Sequence, residues 1–389
     1  MASSSTQIVR LERPSLHSHS LLTSFPALPY PPETWVCKEV QDVDDFFARN
    51  GFDNHAKEAC HVFAQATYPD IEITPVRPQG YCSYTLAIST THLLQFRSDT
   101  YQLDLKVCEE ARMVFGSLVP RVQFIGYVPD CHTVDGERRL HVYIQERIPG
   151  VTLKEFHKME MLNDERQGQC RRHLVGDLAE MFAIGLHHGR PGTHTSEDET
   201  FKKGHIGSSL RWRLNLLKTL SESFLLDTVS DVASRIDHIE GLPWCLTHGD
   251  LVPANIMVDP STGRLTGLID WAEGEWLPFG VGLYGLDEVL GSEDAQTGFR
   301  FFEEHEQLRT VFWNKLLELT ATRDAESPSW VQDAGLAQKL GILLWRGIAF
   351  EDGRIDRVVE TGRDDLELQK LRLFLEASSQ SRVMIDDQN

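Results

Sequence analysis

The sequence predicts an α+β protein of two lobes, a small β-rich half followed by a larger, mostly helical half. Three observations predict it. The chain has 389 residues, enough for two lobes of ordinary size. Between residues 71 and 146 the apolar positions fall mainly in short β-type runs. From Gly150 onward the chain reads mostly helical.

Taken in order, residues 1–33 are rich in Ser, Leu and Pro with no sustained period, and read as a mobile N-terminal arm. They lack the basic start and the apolar core of about 7–15 residues that a secretory signal needs. Asp42 to Arg49 and His55 to Thr67 have helix-like composition, parted by the breaker Asn50-Gly51. Ile71 to Val76, Thr85 to Thr90 and His92 to Arg97 then read as consecutive antiparallel strands, with a turn at Pro78-Gln79-Gly80-Tyr81 between the first two. In the helix expected from Leu103 to Leu118, Val107, Ala111, Val114 and Leu118 share one face, and Pro120 stops it. Gln123 to Val128 and Leu140 to Glu146 are two more strands. Helices follow at Cys170 to His187, Leu210 to Phe224, Thr228 to Ile239, Phe299 to Leu319 and Ala334 to Glu351. The expected division is an arm at 1–33, a lobe of leading helices and antiparallel sheet at 34–147, and a helical lobe at 148–389.

With 38 Lys and Arg against 58 Asp and Glu the formal net charge is −20, which argues against a basic nucleic-acid binder. Apolar runs fall far short of the roughly 20 residues of a membrane-spanning helix, so a membrane is not an expected partner either. Cysteines 37, 60, 82, 108, 131, 170 and 245 are scattered and form no Cys-x-x-Cys pair. They read as reduced thiols of a cytoplasmic protein, not a disulfide frame or a zinc site. The oligomeric state stays open.

The informative stretch is Leu246-Thr-His-Gly-Asp-Leu-Val-Pro-Ala-Asn-Ile-Met-Val-Asp259, followed by Leu268-Ile-Asp-Trp271. Ile256 to Val258 and Leu265 to Ile269 read as a hairpin around the turn sequence Asp259-Pro-Ser-Thr-Gly263. Such a hairpin brings its ends together, so Asp250, Asn255 and Asp270 can converge on one cleft. Phosphoryl transfer asks for that set: a carboxylate to orient and deprotonate the incoming hydroxyl, and oxygen ligands for Mg²⁺. Asp250 suits the first task, and Asn255 with Asp270 the second.

His248-Gly249-Asp250-Leu-Val-Pro-Ala-Asn255 and Leu268-Ile-Asp270-Trp271 resemble the catalytic loop and metal-binding segment of aminoglycoside phosphotransferases and choline kinases. Ala272-Glu-Gly-Glu-Trp-Leu-Pro-Phe-Gly280 and Leu93-Leu-Gln-Phe-Arg97 are most similar to the fungal branch of that family. The resemblance covers residues 70–350 and is strongest in 245–291. It implies a bilobal protein-kinase-like fold, ATP and Mg²⁺ as cofactors, and a hydroxyl of a small molecule as acceptor, whether a metabolite, an antibiotic-like compound or a choline-like alcohol. Protein kinases usually carry Arg and Lys where this chain has Gly249 and Val252, and both differences favour a small-molecule kinase.

On the nucleotide side, Gly80-Tyr-Cys-Ser83-Tyr84 resembles a shortened phosphate-covering loop in which backbone N–H groups and the Ser83 hydroxyl reach phosphate oxygens. Strand alternation puts Leu93, Gln95 and Arg97 on one face. The resemblance expects a cation at Gln95; a neutral amide cannot supply the charge, and Arg97 on the same face is the substitute. Glu110, in preference to Glu109, is the expected helix partner of that cation. Glu146-Arg-Ile148-Pro-Gly150 should join the lobes, with backbone groups around Glu146 and Ile148 meeting an adenine edge. The departure at Gln95 keeps a second reading open, a nucleotide-binding pseudokinase or an interaction protein without turnover, against which the intact Asp250, Asn255 and Asp270 speak. Glu273 and Glu275 read either as substrate-recognising groups or as solvated loop charges, and Trp271, Trp276 and Phe279 as packing residues. His187 and His188 point about 100° apart on a helix and cannot chelate.

Overall fold

Two helices, α1 (Val43–Arg49) and α2 (Ala56–Thr67), precede the first strand. The computed structural model describes residues 43–386 except 54, 78, 134–135, 137–138, 160–163, 195–205, 295, 322–329 and 352–353. The arm expected at 1–33 and Cys37 lie outside the described residues. Strands β1 (Thr74–Pro75), β2 (Tyr84–Ala87), β3 (His92–Ser98), β4 (Val122–His132) and β5 (Arg139–Glu146) form an antiparallel sheet in the order β1-β2-β3-β5-β4. Helix α3 (Leu105–Phe115) interrupts the sheet in sequence. Its N-cap Asp104 accepts from the amides of Lys106 and Val107 and so satisfies donors that a helix start leaves open.

The second half begins with β6 (Val151–Thr152) and α4 (Leu153–Phe156), where Thr152 and Glu155 form a capping box. Helices α5 (Asp164–His187), α6 (Leu210–Leu217), α7 (Ser223–Ser234) and α8 (Ile236–Gly241) lead to β7 (Trp244–Thr247). Strands β8 (Ile256–Val258) and β9 (Leu265–Leu268) make the expected hairpin, with β6 paired to β8, and β10 (Glu275–Pro278) returns beside β7. The remaining elements are α9 (Tyr284–Val289), the hairpin β11 (Gly291–Asp294) and β12 (Gly298–Phe301), α10 (His305–Thr320), α11 (Trp330–Gly347), the hairpin β13 (Ile348–Glu351) and β14 (Arg354–Val358), and α12 (Asp365–Asp386).

The sheet has two differently used faces. Leu94 and Phe96 of β3 are fully buried with Phe47, Cys60, Ala64 and Tyr84 under the leading helices. Gln95 and Arg97, on the alternate positions, are buried toward the other half of the chain. Helix α3 is packed differently from what its place in sequence suggests: Cys108, Ala111 and Phe115 share one core with Leu178, Ile256, Leu268 and Trp271.

Several expected boundaries move. The helix expected over Leu210 to Phe224 is two helices, because the chain turns after Leu217 with Thr219 Oγ1 donating to the Leu216 carbonyl. Phe299, expected to open a helix, lies in β12; its amide donates to Gln369 Oε1, and Gly298 at φ 73° makes the turn before it. The helix expected from Ala334 to Glu351 stops at Gly347, and Ile348 onward pairs with β14. Ile71 to Val76 keeps only Thr74–Pro75 as strand, at the sheet edge.

Candidate active site

The loop between β7 and β8 carries His248, Asp250 and Asn255, and both of its ends are held by strands. Gly249 sits at φ 81°, and a Cβ there would lie 2.0 Å from the Glu273 carbonyl oxygen. That close approach admits glycine alone, so an arginine of the protein-kinase kind has no room. His248 is buried; its Nε2 pairs with the Ile269 carbonyl at 2.9 Å, and its Nδ1 accepts from the Asp250 amide at 3.3 Å. This pattern fits a neutral ring protonated on Nε2, and burial pushes the imidazole down to about 4. His248 is therefore a strut between the two site segments, its ring tilted against that of Trp271 with centroids 4.6 Å apart.

Asn255 donates from Nδ2 to the Asp250 carbonyl at 2.9 Å and to Asp250 Oδ2 at 2.8 Å. With both amide hydrogens engaged, Oδ1 is the atom it can turn to a cation. Behind the loop, Tyr284 Oη accepts from the Leu251 amide at 2.8 Å, Trp345 stacks on Tyr284 at 4.6 Å, and Trp345 Nε1 donates to the Gly249 carbonyl. Arg346, the next residue of α11, pairs with Glu288 and Glu367. Burial in the cleft, then the neighbouring Asp270, pushes the Asp250 carboxyl up to about 6.

Asp270 lies two residues past the end of β9 and is the one non-glycine residue at positive φ, 62°, among the described residues. An aspartate held there is strained, and strain of this kind collects at functional sites. Its Oδ1 accepts from Arg97 Nη2 at 2.6 Å, which ties the sheet to the hairpin. Arg97 is 1% exposed, donates from Nη1 to the Tyr101 carbonyl at 3.1 Å, and donates from Nε to Gln95 Oε1 at 2.8 Å. Gln95 Nε2 in turn donates to Ser83 Oγ at 3.1 Å. The loop that holds Gly80 and Ser83 is pinned by Gln79, whose amide pairs with both the amide and the carbonyl of Thr85. Gln95, Arg97, Asp270 and Trp271 line a small cleft together with Val119 and Gln145.

Of the residues singled out in sequence, Ser83, Gln95, Arg97 and Asp270 form one hydrogen-bonded run and Asp250 and Asn255 a second, and the two meet where the Ile269 amide donates to the Asn255 carbonyl. Glu110 joins neither. Its Oε2 accepts from Trp276 Nε1 at 2.6 Å and its Oε1 lies 3.4 Å from Arg190 Nη2, because α3 packs onto the core of the helical half. The anionic partner of Arg97 is Asp270. The Glu146 carboxylate is engaged by Arg112 and Arg121, and its amide donates to the Arg121 carbonyl, while Ile148 is buried beside Gly267. The two loop glutamates differ. Glu275 is buried and accepts from the amides of Ile206 and Gly207, and burial pushes it up to about 7. Glu273 keeps an exposed surface, and desolvation, then the neighbouring Asp270 and Asp250, raise its carboxyl above the usual range. Sequence reasoning missed Trp345 and Tyr284 as supports of the loop; the Leu343-Leu344-Trp345 run carries only a core signal.

The Asp-Asn loop and the Asp-ended hairpin of this two-lobed α+β chain meet at the sheet, the arrangement of a kinase-like fold. Residues 113–281 match the model of the phosphotransferase enzyme family (APH), a span that holds Asp250, Asn255 and Asp270. Gln95 and Arg97 lie before the matched span, and the fungal branch remains a resemblance of residues 93–97 and 272–280. No match was found among curated protein sequences. Among solved structures, the GDP complex of aminoglycoside 2'-phosphotransferase-IIIa is 16% identical, covering 84% of this chain and 99% of that one with a TM-score of 0.46. Amicoumacin kinase hAmiN in complex with AMP-PNP, Ca²⁺ and Ami is 14% identical, with coverages of 84% and 96% and a TM-score of 0.48. No helix among the described residues is long and apolar enough to cross a membrane.

Proposed function

We propose that the protein is a small-molecule kinase that transfers the γ-phosphoryl group of ATP to a hydroxyl of its acceptor. The observation that carries this reading is the approach of two hydrogen-bonded pairs, Asp250 with Asn255 and Asp270 with Arg97, near enough for Asp270 to raise the Asp250 carboxyl. The donor set suits a hard divalent cation, since Asn255 Oδ1 and the Asp270 carboxylate are oxygen ligands of the kind Mg²⁺ takes. When bound, Mg²⁺ neutralises charge on the phosphate oxygens.

The chain's own residues supply the rest. Asp250 takes the proton from the acceptor hydroxyl as the new O–P bond forms and the bond from the γ-phosphorus to the bridging oxygen of ADP breaks. Its raised pKa of about 6 places it near the working pH of a general base. Asn255 holds Oδ2 of Asp250 and so fixes the carboxylate plane. Arg97 brings the positive charge that the expected lysine would bring, and the Ser83 hydroxyl faces it across Gln95. Acceptors from the metabolite, antibiotic-like and choline-like classes all present the hydroxyl this chemistry needs.

Asp250→Asn removes the base while keeping an oxygen for Asn255. Magnesium-dependent ATP consumption should fall about 10²- to 10⁴-fold, the usual worth of a general base, with the melting temperature little changed. Unaltered ATP consumption in this variant, or no ATP binding by the wild type, contradicts the proposal.

A further inference from the structure

Gln95 stands where the family pattern puts a cation, and the obvious reading is a weakened site. The bonds around it say otherwise. Gln95 is 8% exposed and uses both ends of its amide: Nε2 donates to Ser83 Oγ at 3.1 Å, and Oε1 accepts from Arg97 Nε at 2.8 Å. Arg97 continues the chain to Asp270 Oδ1 at 2.6 Å. One run of side-chain hydrogen bonds therefore links the loop at Ser83 to Asp270.

We infer that Gln95 is a positioning residue, a neutral two-ended connector that sets the Ser83 hydroxyl and the Arg97 guanidinium in register for the phosphates of a bound nucleotide. The inference rests on reading the cleft as a nucleotide site. Each link has a chemical reason. The guanidinium has five donors and no acceptor, so a buried Nε–H needs an oxygen, and Gln95 provides it. The Ser83 oxygen accepts from the amide and lies 3.5 Å from Thr85 Oγ1, so its proton can turn to that hydroxyl or to a bound phosphate. Arg97 sits two residues further along the same strand face, and its longer, forked side chain reaches the cleft from there.

Lysine at 95 breaks this arrangement although it restores the family's residue. An ammonium donates only, so Arg97 Nε loses its acceptor, and two cations then stand within hydrogen-bond distance of each other in a buried place. Glutamate at 95 separates shape from function. Its carboxylate can accept from both Arg97 and the Ser83 hydroxyl and so keeps the geometry, but it cancels the charge that the phosphates need.

The test measures, for the wild type, Gln95→Lys, Gln95→Glu and Ser83→Ala, the dissociation constant of magnesium with a non-hydrolysable ATP analogue by titration calorimetry. Melting temperatures without nucleotide are recorded alongside. The expected result is that Gln95→Glu melts close to the wild type yet binds about tenfold or more weakly, as loss of a charged contact implies. Gln95→Lys should both melt lower and bind more weakly despite its added charge, and Ser83→Ala should bind more weakly with its melting temperature little changed. Tighter or equal binding by Gln95→Lys, or wild-type affinity in Gln95→Glu or Ser83→Ala, overturns the connector while leaving the kinase reading intact. A wild type that binds no nucleotide overturns both.

Discussion

Single residues explain why this loop differs from that of a protein kinase. Gly249 lies against the Glu273 carbonyl at positive φ, so the chain has traded a charged side chain for a close backbone contact between the two site segments. His248 holds the same two segments from the other side, and its neutrality makes a pH prediction. The imidazole titrates near 6.5 when unfolded, whereas burial holds it neutral in the folded protein down to about 4. Its contribution to stability is complete above about pH 6.5 and is lost progressively as pH falls toward 4, on the order of a few kcal/mol. Melting curves between pH 7 and 4.5 should therefore steepen in the wild type and be shallower in His248→Gln; parallel curves would show that the ring is charged or solvated in the folded state. That Asp250, Asn255 and Asp270 would be brought near one another was legible in the sequence, because the hairpin between them has a local turn signal. The strained backbone of Asp270 and its bond to Arg97, 173 residues away in sequence, were not. No local pattern encodes a contact that only the assembled sheet and hairpin create.

At the scale of elements, the hairpin β8-β9 was read correctly because its turn chemistry is local: Asp259 Oδ1 accepts from the amides of Ser261 and Thr262, and Gly263 takes φ 68°. The short strands β7 and β10 passed unnoticed, since four residues carry too little periodicity and their pairing joins Trp244 to Pro278. Helix α3 shows the opposite failure. Its apolar face was legible, but not which core that face would join, and so Glu110 was assigned to the β3 cation when it meets Trp276 and Arg190. Glu110→Gln keeps an oxygen for the Trp276 indole and loses only the 3.4 Å ion pair. It should cost at most about 1 kcal/mol, the range of partly exposed pairs. Nucleotide affinity should stay within about twofold, since no charged partner of Arg97 is removed. A tenfold loss of nucleotide affinity, read by the same calorimetry, would return Glu110 to the cation site.

For the molecule as a whole, apolar patterning set the β-then-α order and the charge balance argued against nucleic acid, but a net charge of −20 gave no hint of the proposed site for a nucleotide that is itself anionic. The fold resolves the difficulty locally. Sheet and hairpin bring one buried guanidinium, a loop hydroxyl and a pair of cation-type oxygens together inside an acidic protein, and the core of the helical half, shared with α3, holds the loop in place. The most direct measurement of the central claim is transfer of label from γ-labelled ATP to a library of hydroxyl-bearing small molecules, with and without Mg²⁺, beside the Asp270→Ala variant. The account predicts a labelled phosphate ester of at least one acceptor, formed only with Mg²⁺ and lost in the variant. No labelled acceptor in any reaction, or equal labelling by Asp270→Ala, would contradict it.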